Sequence, residues 1–178
     1  METKKQISLG NDTFGIDITI TRPSENRRIY VNNQQVELAL QIALDAHKGQ
    51  VDLDGKPAIL HALAVGMEGK NLTEICVGYL HDVVEDSHYT FDDLRRMGVA
   101  LKIIRALQVL THDKSVPYMD YIRNIEASSN EAALQVKIND LRHNLLRGTI
   151  GGHTKQVKKH TEALDYLLRN DEYILHVD

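Results

Sequence analysis

One cysteine, Cys76, is the whole thiol inventory of the chain. No intrachain disulfide can form, and its place in the apolar stretch "LTEICVGYL" points to a buried, inert thiol. Long hydrophobic runs are missing too: no apolar segment approaches the ~20 residues that span a bilayer. The opening "METKKQISLGND" is polar and lacks the apolar core of a signal peptide. Basic excess is also absent, and a formal net charge of −4 gives no electrostatic reason to bind nucleic acid. An anionic small molecule would need a local basic patch instead. Neither internal repeats nor low-complexity tracts occur. What is present is ordinary for a soluble globular protein: 178 residues, 42% apolar and 26% charged, enough for one domain with a proper core. These features together point to a reducing, cytoplasmic compartment and to no membrane partner. Nothing in the sequence specifies an oligomeric state.

Hydrophobic periodicity changes once along the chain. "FGIDITITR" alternates Ile16, Ile18 and Ile20 with Asp17 and Thr19, which is strand periodicity. With the Asn-Asn turn of "YVNNQQV" it predicts a short hairpin from residues 14–20 and 28–36. Thereafter the pattern is helical. Val36, Leu40, Ala43 and Leu44 make an apolar stripe leading to His47, and the loop "KGQVDLDGKP" follows with Gly49, Gly55 and Pro57 as breakers. A short helix over 58–68 carries His61, and Asn71 or Thr73 caps the next one. "TFDDLRRMG" reads as a helix led by Thr90 and ended by Gly98. "VALKIIRALQVLT" is another, and Pro117 opens the first turn of a further helix. Residues 130–148 and 154–169 complete an all-α body of about seven or eight helices.

The segment "GYLHDVVED" is the unusual one. A stretch apolar on most sides ends in His81, Asp82, Glu85 and Asp86. Continued as one helix, it lines Asp82 up with Glu85 and Asp86, and His81 with Glu85. Bare carboxylates in a low-dielectric place cost several kcal/mol each unless a cation or hydrogen bonds offset them. A divalent metal would do so, because it accepts imidazole nitrogen and carboxylate oxygen together. His81 and Asp82 then need donors from elsewhere, and His61 and Asp140 are available. In "QVKINDLRHNLL", Leu134, Ile138, Leu141 and Leu145 form an apolar stripe. Lys137, Asp140, Asn144 and Arg147 form a polar stripe one residue behind it. An acid, an amide and two cations on one edge of a core-facing helix suit a metal beside a phosphate.

Taken singly, each feature has a plainer explanation. Nine histidines in the chain guarantee chance coincidences. A lone His-Asp pair is usually solvated, Glu85 and Asp86 alone make a helix-end acid cluster, and Lys137 or Arg147 alone is a solvated cation. Combination and order carry the weight.

The order His…His-Asp…Asp resembles the HD superfamily of metal-dependent phosphohydrolases. "AHKGQ", "DGKPAILHALAV", "LHDVVEDSHYTFDDL", "VLTHDK" and "VKINDLRHNL" are similar to successive blocks of the RelA/SpoT-type (p)ppGpp hydrolase domain, over residues 36 to 150 and in the same order. The resemblance implies His61, His81, Asp82 and Asp140 as metal ligands and Mn²⁺ as the metal. It implies Glu85 and Asp86 as the acidic pair that orients and activates the attacking water. Asn144 matches a substrate-contacting asparagine and Lys137 a family lysine; with Arg147 they form the substrate side. His47 matches a histidine that is not a ligand, which reads as a hydrogen-bonding scaffold. An HD phosphohydrolase domain over 35–178, with residues 1–34 as an N-terminal extension of the same domain, follows as the expected organisation. The remainder leaves no room for a synthetase or regulatory domain, so a small stand-alone hydrolase is expected.

Four positions depart from the family pattern. Asp52 stands nine residues before His61, where the family has an arginine that stacks on the guanine base. Ala58 replaces an aromatic, "DLRHN" replaces "DRLHN", and Arg147 replaces a threonine. The metal and water residues match, whereas the base-recognition residues do not. The activity implied is removal of the 3′-pyrophosphate of (p)ppGpp, a small-molecule nucleotide. An HD phosphohydrolase acting on another nucleotide or phosphate ester, and a non-catalytic nucleotide sensor, remain alternatives.

Overall fold

Local capping chemistry sets most of the helix starts. A computed structural model describes residues 29–174, with side chains from 29 to 169. Asn32 accepts the Gln35 N–H and opens α1 (Asn33–Ala46). α2 covers Ile59–Met67, and Asn71 caps α3 (Leu72–Leu80) by accepting from the Thr73 and Glu74 amides. α4 is a single turn, Val83–Asp86. Thr90 and Asp93 form a reciprocal capping box at α5 (Phe91–Arg96), which ends before Gly98 at φ +90°. α6 spans Leu101–Leu110 and α7 Tyr118–Ala127, the latter preceded by Pro117. Asn130 caps α8 (Glu131–Gly151), Gly152 ends it in the left-handed conformation, and α9 covers Thr154–Ile174.

The all-α expectation holds, with nine helical segments and no sheet among the described residues. Residues 14–20 of the expected hairpin lie outside the described residues. Its second strand is corrected in part, because residues 33–36 form the first turn of α1 under the Asn32 cap. The apolar stripe expected on α1 holds at Ala43 and in part at Val36, and is otherwise shifted. Gln35, Ala39, Ile42 and Ala46 face inward while Leu44 is half exposed. Gln35 wins the inner face because its amide donates to the Gly98 carbonyl at 3.0 Å and accepts from the Ala100 N–H at 2.8 Å.

α3 is the central helix, packed by α1, α2, α6 and α8. That explains its all-round apolar character: Cys76, Val77 and Leu80 are fully buried. Burial pushes the Cys76 thiol up to about 11, which leaves it inert as expected. α3 and α2 cross in backbone contact. A Cβ at Gly78 would stand 2.6 Å from the Gly66 Cα, and one at Gly66 would enter the Tyr79 ring. This crossing brings His61 of α2 beside the end of α3. Gly78→Ala should therefore lower stability by ~1–3 kcal/mol, the range for overpacking, read as a fall in the urea midpoint at constant m-value.

Candidate metal centre and active site

α3 stops one residue short of the chemistry. His81 and Asp82 form the turn between α3 and α4, so the continuous helix expected through Asp86 is broken there. The His81 Nδ1 donates to the Gly78 carbonyl at 2.7 Å, competing for a helical acceptor at the point where the helix ends. With its proton on Nδ1, a neutral His81 points a bare Nε2 away from α3.

That nitrogen meets other acceptors. His81 Nε2 lies 3.2 Å from His61 Nε2 and 3.1 Å from Asp82 Oδ2. Asp140 Oδ1 stands 3.0 Å from His61 Nε2 and 3.7 Å from His81 Nε2. Asp82 Oδ2 is also 3.7 Å from His61 Nε2. Among the described residues, His61, His81 and Asp140 form a buried group of donors close enough together for one metal ion. Two imidazoles and one buried carboxylate within reach of one point, with the Asp82 carboxylate at the edge of the group, suit a divalent first-row cation.

Electrostatics give the same reading. Burial would lower the His81 pKa, yet the Asp82 carboxylate and hydrogen bonds with Asp140 and Asp82 hold it well above the ordinary value. Burial likewise opposes the Asp140 charge, but the Lys137 ammonium and hydrogen bonds from His61 and His81 hold that carboxyl well below its usual range. The cluster demands positive charge.

The polar stripe of α8 is a hydrogen-bonded ladder. Lys137 Nζ donates to Asp140 Oδ2 at 2.9 Å, Asn144 Nδ2 donates to Asp140 Oδ1 at 2.5 Å, and Arg147 Nη2 donates to Asn144 Oδ1 at 2.7 Å. Lys137 also sits 5.2 Å from the Tyr121 ring centre. Its ammonium is thus committed to holding Asp140. Arg147 ends the ladder on the loop before α2, donating to Asp52 Oδ2 at 3.1 Å. Asp52 Oδ1 accepts from the Asp54 and Lys56 amides and so fixes that loop. Two of the positions that depart from the family pattern therefore pair with each other.

Two cavities meet at the cluster. The larger, about 620 Å³, is walled by Asp52, Asp54, Ala58, Asp86 and Gln156, among others. The smaller, about 310 Å³, is lined by Glu85, His112, Tyr118, Lys137 and Lys159, among others. His61, Asp82, Asn144, Arg147 and His160 border both. Glu85 and Asp86 thus flank the centre from opposite sides. Burial raises both carboxyls above their ordinary values, with Asp82 adding to the rise. Glu85 is oriented by the His112 N–H, which donates to its Oε1 at 2.7 Å. His47 does bond within the scaffold: its Nδ1 contacts Gln50 Oε1 at 2.8 Å, and Gln50 Nε2 reaches the Asp86 carbonyl at 2.7 Å.

Sequence reasoning missed the residues that α9 and the α8–α9 turn contribute. Lys159 lies over the Tyr118 ring, 4.1 Å from its centre, and His153 Nε2 stands 2.9 Å from Asp54 Oδ1 across the larger cavity. "QVKKH" carries no local signal for this, since charged residues on a closing helix are usually solvated. Among the described residues, no helix is long and apolar enough to cross a membrane.

No protein-family model matches the sequence. Over 142 residues the chain is 30% identical to a GTP pyrophosphokinase of Streptomyces antibioticus, a match covering 74% of this chain and 17% of that protein. Over 72 residues it is 36% identical to a guanosine-3′,5′-bis(diphosphate) 3′-pyrophosphohydrolase of Vibrio cholerae, covering 36% of this chain and 10% of that one. The chain thus spans less than a fifth of the length of these curated relatives. Among solved structures, a metazoan ortholog of SpoT described as hydrolyzing ppGpp superposes with a TM-score of 0.61 at 20% identity. That match covers 80% of this chain and 98% of that one. The chain has the all-α fold of the SpoT-type hydrolase. Its sequence likeness to RelA/SpoT-type proteins agrees with the HD-type resemblance of its motif blocks.

Proposed function

We propose that the protein is a metal-dependent phosphohydrolase that removes the 3′-pyrophosphate of (p)ppGpp, giving GDP or GTP and pyrophosphate. The observation that carries this is the grouping of His61, His81 and Asp140, with Asp82 beside them, where two cavities meet, Glu85 lining one and Asp86 the other. The SpoT ortholog's hydrolysis of ppGpp and the 3′-pyrophosphohydrolase name of the Vibrio cholerae relative support hydrolysis. The pyrophosphokinase name belongs to a much longer protein, of which this chain matches a small part. In this reading residues 35–178 are the HD domain, residues 1–34 extend it, and the enzyme works in the cytoplasm.

His61, His81, Asp82 and Asp140 would hold one divalent cation, Mn²⁺. When bound, it polarises a phosphoryl oxygen and lowers the pKa of water beside it. Glu85, fixed by the His112 amide, positions the attacking water and takes its proton. Asp86 orients the same water from the larger cavity. The water oxygen bonds to the phosphorus carried by the ribose 3′-oxygen, the bond between that phosphorus and the 3′-oxygen breaks, and the 3′-oxygen collects a proton from solvent. Arg147 offsets charge on the phosphate oxygens, and Lys137 on the substrate side holds Asp140 in place. Asn144 contacts the substrate beside Arg147, where both border the two cavities.

A second reading has its own observation. The Asp52–Arg147 pair and the small Ala58 shape the larger cavity, so the base accepted there need not be guanine. Chromatography of products from (p)ppGpp and a panel of other nucleotides, with and without Mn²⁺, decides between the two. The expected result is GDP or GTP with pyrophosphate, only when metal is present and abolished by chelator. Turnover of another nucleotide alone selects the second reading, and binding without any product selects a sensor.

A further inference from the structure

His61 is held at both ring nitrogens by a single helix. On one side Asp140 Oδ1 lies 3.0 Å from its Nε2; on the other, His143 Nδ1 lies 2.7 Å from its Nδ1. Asp140 and His143 are three residues apart on α8 and so share a face. The two imidazoles are nearly parallel, with ring centres 5.0 Å apart and planes inclined by 22°. Two nitrogens at 2.7 Å need one proton between them: one donates and the other accepts. His143 lies within the block "VKINDLRHNL", and the sequence reading gives it no role.

We infer that His143 is a positioning residue whose Nδ1 accepts the His61 Nδ1–H, and so keeps His61 Nε2 bare and aimed at the cation site. This rests on the metal reading of the cluster. A ligand imidazole must be neutral with its proton on the nitrogen away from the metal, and it binds best when that proton has an acceptor. Among the described residues no carboxylate or backbone carbonyl takes that role for His61, and the His143 ring fills it. In the opposite tautomer His143 donates, and the His61 proton moves to Nε2. There it faces Asp140 Oδ1 at hydrogen-bond distance and blocks a donor position. The His61–His143 pair thus sets which nitrogen of His61 is free. α8 supplies both the acid in front of that nitrogen and the acceptor behind the ring.

The test is Mn²⁺ affinity, read from the electron paramagnetic resonance of free Mn²⁺, in the unaltered protein, His143→Leu and His143→Asn. Asparagine places its Oδ1 where the imidazole Nδ1 stands, whereas leucine fills space without an acceptor. His143→Leu should weaken Mn²⁺ binding by ~10–100-fold, the usual loss when an outer hydrogen-bond partner of a metal ligand is removed, and His143→Asn should recover most of it. Equal affinity in all three, or an asparagine variant as weak as the leucine one, overturns the inference while leaving the metal reading intact. Absence of Mn²⁺ binding by the unaltered protein overturns both. A second measurement does not depend on the variants. Long-range ¹H–¹⁵N correlation spectra of the unaltered protein, loaded with diamagnetic Zn²⁺, should place the His143 proton on Nε2, and a proton on its Nδ1 rejects the assignment.

Discussion

Asp140→Ala is expected to abolish Mn²⁺ binding and hydrolysis together and also to weaken the fold. Asp140 ties the imidazoles of the site to the polar edge of α8. It faces both metal-side imidazoles and accepts from Lys137 and Asn144 while almost wholly buried. Removing it takes away one of the four donors proposed for the cation. It also strands the Lys137 ammonium, whose side chain is only 12% exposed, against the rings of Tyr118 and Tyr121. Breaking a buried pair from one side costs ~3–5 kcal/mol, which a urea titration of the metal-free protein should register. Asp140→Asn separates the two effects. The amide oxygen still accepts from Lys137, so less stability should be lost, but the missing charge should still empty the site. Full activity of Asp140→Ala in chelator would sink the metal reading.

Glu85→Gln is the converse case, with chemistry lost and the site kept. The amide Oε1 still accepts the His112 N–H that orients Glu85, so the side chain should stay in place. Mn²⁺ affinity should be unchanged. Turnover should fall by ~10²–10⁴, the range for loss of a general base. The pH profile gives an independent check. Burial raises the Glu85 carboxyl above its ordinary value, with Asp82 and Asp86 adding to the rise. The ionised base is therefore present above that raised pKa and lost as pH falls through it. In the metal-free protein the Glu85 carboxyl should titrate above the ordinary glutamate value of about 4.3, a bound cation should lower it, and Glu85→Gln should lack the Glu85 contribution to the acid limb of kcat. An unchanged kcat in the glutamine variant would remove Glu85 from the mechanism and leave the metal centre untouched.

The features legible in the sequence are those that depend on short spacing. The ladder Lys137–Asp140–Asn144–Arg147 could be read as a stripe because steps of three and four lie on one helix face, and the structure links all four side chains in that order. The caps at Asn71 and Thr90 and the stop at Gly98 are equally local, since a capping side chain reaches amides two or three residues on. Four clustered polar residues at the end of an apolar segment pointed to a place that would accept a cation. They did not reveal that His81 and Asp82 sit in a turn, where the His81 ring bends back onto the Gly78 carbonyl.

By itself, then, the sequence determined the helices, the edge of α8 that bears charge, and the acid-rich end of α3, all from neighbours within one or two turns. Tertiary packing alone decided which distant groups meet. Gly66 and Gly78 let α2 and α3 touch, which brings His61 to His81. The same packing turns Arg147 onto Asp52, 95 residues away, and seats His143 behind His61, 82 residues away. No periodicity encodes such pairings, because contact between elements depends on shape and burial summed over the whole core rather than on any local pattern.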